Sequence, residues 1–236
     1  MLLLLSLWGT SAYAAFPTPT DLTTSSSSTD GTSYTTASIT PPSNTLILAV
    51  VHSEIASGTP NTPTLAGNGL TWVAIGSNVT NQNRTTAFRA RGTATVGTVV
   101  IDYAGQTMSD SAWSIVSVGG AATTGTNGSG AIVQFATATN SAVTSLTVTL
   151  AAFANAANAT FGFFGINNNV SMVAGSGFTI VNQPGLSSSR AAIEWKIGND
   201  TSVDMTWTSS TAAAVAVEVA PAAATGGGRS APMFFN

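Results

Sequence analysis

Leu46-Ile47-Leu48-Ala49-Val50-Val51 is apolar at every position, whereas most other hydrophobic stretches alternate with Ser, Thr or Ala. A run this short, with no polar face, predicts a strand buried on both sides at the centre of a covered sheet. Elsewhere the period is two. Ala112, Ser114, Val116 and Val118 form one row opposite Trp113 and Ile115, and Val215, Val217 and Val219 share a face with alanines between them. Further strands are expected near Tyr34–Thr40, Thr45–Ser53, Leu70–Ser77, Thr85–Arg91, Thr98–Tyr103 and Ala112–Val118. A second series follows near Ala131–Thr137, Ser145–Leu150, Thr160–Ile166, Phe178–Asn182, Ala191–Ile197, Val203–Trp207 and Ala213–Val219. Gly, Asn and Pro punctuate them. No capped helical stripe persists for three turns, and Ala151–Ala159, interrupted by Asn155 and Asn158, predicts a connection.

Regular short strands with turn signals predict an all-β fold, a two-layer antiparallel β-sandwich. Its expected core is Leu46, Leu48, Val50, Trp72, Phe88, Ile101, Trp113, Ile115, Phe161, Phe163, Ile193, Trp195 and Val217. Four segments follow: a signal-like or hydrophobic N-terminal arm over 1–15, a Pro/Thr/Ser linker over 16–32, one sandwich domain over 33–220, and a Gly-rich tail with an apolar tip over 221–236. The leucine run before Ala12-Tyr13-Ala14 has the shape of an export signal but lacks a basic start, so an export signal and a hydrophobic arm are both open. It is too short to span a bilayer, which takes about 20 apolar residues.

Composition narrows the function more than the fold. Charged residues are 6% of the 236-residue chain, against about 25% in an ordinary soluble protein. A surface solvated by hydroxyls and amides is poorly protected against self-association. Six basic residues and a net charge of −3 cannot neutralise a phosphate track, so nucleic acid is not an expected partner. Without cysteine there is no disulfide, thiolate nucleophile or zinc–cysteine site.

Candidate chemistry is sparse. His52 is the only histidine, two positions before Glu54 on one strand face, and both are expected at a strand end reaching solvent rather than as an acid–base pair. The Asp102/Asp110 and Asp200/Asp204 pairs lack the dense Asp/Asn/Gly ladder of a calcium loop. No G-x-S-x-G elbow or phosphate loop appears. Trp72, Trp113, Trp195 and Trp207 sit inside strands, where core aromatics belong, although a sugar-stacking platform would use the same residue type. Neither a catalytic residue nor a cofactor or metal ligand is therefore assigned.

The order of segments carries a resemblance. Asn44–Val51 is followed by Gly67-Asn68-Gly69-Leu70-Thr71-Trp72, Arg84–Ala90, Gly97–Tyr103 and Ser111–Gly120. Ala191–Lys196, Met205-Thr206-Trp207 and Ala214–Val219 continue it. Over roughly residues 33–220 this resembles the jelly-roll-type β-sandwich of bacterial extracellular proteins and phage structural proteins. The resemblance implies a jelly-roll-like sandwich outside the cytoplasm, in a virion or on a cell surface. With the composition, it leads to the expectation of a non-enzymatic structural or assembly protein. An exported adhesive or carbohydrate-binding module is the alternative. Expected partners are copies of itself or other structural subunits, with surface glycans the alternative and no transmembrane span. Candidate assembly contacts are Leu2, Leu3, Leu4, Leu5 and Trp8 in the N-terminal arm, Arg89 and Arg91 on a strand face, and Met233, Phe234 and Phe235 at the tip.

Overall fold

A computed structural model of the chain describes Tyr13 and residues 15–223. The strands of the first half are β1 (Thr20–Ser27), β2 (Ser33–Thr35), β3 (Leu46–Glu54), β4 (Thr64–Gly67), β5 (Leu70–Thr71), β6 (Val73–Thr80), β7 (Asn83–Ala90), β8 (Val99–Asp102) and β9 (Asp110–Val118). A 3-10 turn, Ser129–Ala131, leads into β10 (Ile132–Thr149), β11 (Ala159–Ile166), β12 (Val173–Ala174), β13 (Thr179–Asn182), β14 (Gly185–Leu186), β15 (Ser189–Ile197) and β16 (Ser202–Val219). No helix among the described residues is long and apolar enough to cross a membrane.

The chain forms the expected all-β antiparallel sandwich. A five-stranded sheet, β1-β9-β3-β7-β6, faces a seven-stranded one, β10-β16-β11-β15-β13, to which β12 and β14 add short pairings. A four-stranded sheet, β2-β8-β4-β5, covers the other side of the five-stranded sheet. As its sequence requires, β3 is the middle strand and is buried on both faces. Leu46, Leu48 and Val50 point into the middle apolar layer, with Phe161, Phe163, Ile193, Trp195, Val215 and Val217 opposite. Ile47, Ala49 and Val51 point the other way, onto Tyr34, Ile101, Tyr103, Trp113 and Ile115.

The expected core residues divide between these two layers, with Trp72 only partly buried at the margin of the second. A third layer was not foreseen. Strands β10 and β16 each run 18 residues, where the sequence suggested two strands apiece. They pair along their length through register shifts between Asn140 and Ser145, where Ala142 has φ 52. Beyond that bend Leu146, Val148, Val203, Met205 and Trp207 cluster with Phe164, Ala192, Ala214 and Ala216 from the outer face of the same sheet. Gly162 on β11 makes the closeness possible, since a Cβ there would lie 2.8 Å from Val203 Cγ1.

One expectation needs correcting. The segment read as a Pro/Thr/Ser linker carries β1, which pairs with β9 over Thr20–Ser27. Ser and Thr serve turns and strands equally, so composition concealed it; Thr23 is buried, and Leu22 packs on the layer around Trp113.

Because the middle layer draws on both halves of the chain, Phe163→Ala should cost about 3–5 kcal/mol, the usual range for emptying a buried Phe site. Urea unfolding followed by tryptophan fluorescence should shift as one transition. Separate transitions for the two halves would show that this layer does not couple them.

Candidate functional site

The polar groups of β3 cluster at one end of the middle layer. His52 continues the row Leu46, Leu48, Val50 and is fully buried, not at a solvent-facing strand end as expected. Its ring lies against Gly165 of β11, where a Cβ would come within 2.0 Å of Nδ1. Nδ1 is 2.9 Å from Thr85 Oγ1, and Nε2 has no hydrogen-bond partner. Burial lowers the His52 pKa to about 4, against weaker opposing contributions from the Ile166 and Arg84 backbone and the Asn83 side chain. The ring is therefore neutral at neutral pH and enclosed.

Glu54 pairs in register with Asp110 of β9. Ser188, in the turn between β14 and β15, places its Oγ 2.6 Å from Asp110 Oδ2 and 3.0 Å from Glu54 Oε2. One hydroxyl thus faces oxygens of two carboxyl groups and can divide its hydrogen bond between them. Burial raises the Glu54 pKa, Ser188 opposes this, and Asp110 adds to it. The arrangement thus ties the β14–β15 turn of one sheet to the strand ends of the other through one hydroxyl. Asn182 does the same at the far edge, donating to Asp21 Oδ1 at 2.9 Å and Ser114 Oγ at 3.0 Å.

A second buried carboxyl lies under the third layer. Glu194 of β15 accepts the Gly175 N–H at 3.1 Å through Oε2, while Oε1 is unpaired. Burial raises its pKa to about 8, Gly175 opposing, and Asp204 and Asp200 adding to the rise. In each acidic pair named from sequence one member has a local partner. Asp102 accepts the Ala104 N–H of its own turn, and Asp200 pairs with Lys196 at 2.7 Å. Among the described residues no group of three or more His, Cys, Asp or Glu is placed to hold a metal ion.

Trp113, Trp195 and Trp207 are buried and Trp72 is partly so, so these four form no open sugar-stacking platform. Arg89 donates to the carbonyls of Thr126 and Asn127, and Arg91 to that of Asn44. Leu2, Leu3, Leu4, Leu5, Trp8, Met233, Phe234 and Phe235 lie outside the described residues.

One side wall of the sandwich is exposed and apolar. Among the described residues the outer edges of β6 and β10 pair with no strand. Neither strand contains an ionisable residue. They lie together: the Phe135 ring covers Gly76, where a Cβ would come within 2.9 Å of it. Even so, Val133 and Phe135 are each 51% exposed. A groove of about 500 Å³ runs beside them, lined by Ala74, Ile75, Arg89, Ser129 and Ile132–Phe135. Sequence reasoning missed this wall because exposure on an edge strand depends on sheet order, although the uncharged run Ile132–Thr149 was there to be noticed. No family model, curated protein or solved structure matches the chain.

Two of the buried titratable groups, His52 and Glu194, set a pH profile. His52 has a lowered folded pKa, so its contribution is complete above 6.5 and is lost as pH falls towards 4. Glu194 has a raised one, so its contribution is complete below 4.5 and is lost as pH rises towards 8. Stability should level off between 4.5 and 6.5, where the two slopes oppose, and fall on either side. Thermal unfolding from acid to alkaline buffers reads this directly. Glu194→Gln should abolish the alkaline decline, and an unchanged decline would assign it elsewhere.

Proposed function

We propose that this protein is a non-enzymatic structural subunit of a phage particle or extracellular appendage, working as many copies packed together. The observation that carries the reading is the side wall: two stacked, unpaired strand edges without one charge between them. Free strand edges offer a template for pairing with another chain, and proteins that stay monomeric blunt them with Lys, Pro or a covering segment. Here β10 has no Pro, Lys or Arg in 18 residues. The chain-wide scarcity of charge, 6%, removes the remaining electrostatic barrier. The buried polar groups support the non-enzymatic part, since His52 is enclosed and the Glu54–Ser188–Asp110 contacts are used in tying the sheets together. The terminal segments 1–15 and 226–236 are proposed as additional connectors on account of their apolar runs.

Sedimentation velocity across a concentration series should show growth beyond the monomer. High salt should not reverse it, because no ion pair holds the contact and screening acts only on charge. A chain that stays monomeric at the highest concentrations, or an assembly dissolved by salt, would count against this reading.

A further inference from the structure

Resting on the self-association just proposed, we infer that the first arm of β10, Ile132–Asn140, is the contact, pairing antiparallel with the same arm of a second copy about a two-fold axis at Ala136. This arm keeps a regular register with β16 from Gln134 to Asn140 before the bend, so its outer edge is regular too. Opposed residues in an antiparallel pair point to the same face. The exposed row Val133, Phe135, Thr137, Thr139 must therefore face its counterpart, which restricts the register to centres that match odd with odd positions. Centring on Ala136 uses the whole arm. It sets Phe135 opposite Thr137 and Gln134 opposite Ala138, and leaves the bulge between Ile132 and Gln134 at the end of the contact, beside Thr139 and Asn140.

Around the axis the two Phe135 rings become diagonal neighbours, each flanked by apolar or Thr side chains, a favourable cross-strand arrangement. Every opposed pair in this register is uncharged, so none is repulsive. The axis also brings the adjoining β6 edges to the same side, extending both sheets from one copy to the next. Nine residues of strand and two stacked edges make a wall about 30 Å long and about 20 Å tall. That is about 600 Å² per copy, or about 1,200 Å² in all, the lower end of specific interfaces. The occupant is a second copy because the same uncharged, half-apolar edge satisfies both sides of the contact.

The absence of cysteine gives a direct test. Across the axis the two Ala136 Cα atoms would be about 4.5–5.5 Å apart, within disulfide reach of about 4.4–6.8 Å. Under mild oxidation Ala136→Cys should convert most of the chain to a covalent dimer, whereas Val100→Cys, exposed on the four-stranded sheet, should not. Thr137→Lys, at another exposed position, should lower association at least tenfold by sedimentation while leaving the melting transition in place. Self-association that persists with Thr137→Lys and without an Ala136→Cys cross-link would overturn this contact and leave the structural role standing. A chain monomeric throughout would overturn both.

Discussion

The fold depends on β3, a strand with no polar side. Burying each of its large aliphatic side chains is worth about 1.5–3 kcal/mol, and they point alternately up and down, so one covering layer leaves half of that unrealised. A sheet is therefore required on each side, and each covering sheet raises the same question about its outer face. On the four-stranded sheet the sequence of coverings stops, because Val99 and Ile101 point inward while Val100 and Asp102 face water. On the seven-stranded sheet it continues. Phe164, Ile166, Ala192 and Ala214 face outward there, and the bent arm of β10 and β16 closes over them. That arm ends the stack, with Leu146 and Val148 inside and Thr147 and Thr149 outside.

How much of this was legible follows from the same geometry. Continuous apolarity disclosed β3, and alternation disclosed β9 and the last part of β16, although both are buried on both faces. Glu194 was illegible for a related reason. It alternates with Ile193 and Trp195, so in a two-layer sandwich it would face solvent, and only the third layer buries it. That layer was hidden because Asn140–Ser145 reads as a break between strands, whereas the chain passes through it by a bulge and a left-handed Ala142. His52 was misplaced because a polar residue ending an apolar run suggests emergence into water. The space that keeps it inside comes from Gly165, 113 positions away in sequence. The open side wall required the sheet order, which no local pattern encodes.

Sparse charge shapes the interior as well as the rim. The two sheets are fastened at their margins by hydroxyls and amides: Ser188 between Glu54 and Asp110, and Asn182 between Asp21 and Ser114. Such contacts avoid the desolvation cost of a buried ion pair. They also leave strand edges to be managed by coverage alone. At one pair of sheet ends, β1 and β13, a side-chain bridge spans the layers. At the other, β6 and β10, the uncharged edges leave backbone groups for another chain.

Strand β11 links the interior chemistry to the layering. It carries a glycine on each face, Gly165 toward the middle layer and Gly162 toward the third. Gly165 makes room for the His52 ring, and Gly162 for Val203 and the stem of Glu194. A glycine inside a strand costs about 0.5–1 kcal/mol relative to Ala, so these positions are not chosen for the strand's own stability. Any side chain at Gly165 would meet the imidazole and the Thr85 hydroxyl, with a Cβ 2.3 Å from Thr85 Oγ1. One strand thus seats a buried base on one side and a buried acid on the other, each held uncharged by its surroundings. One resists gaining a proton and the other resists losing it, so both stay uncharged across the mildly acidic range.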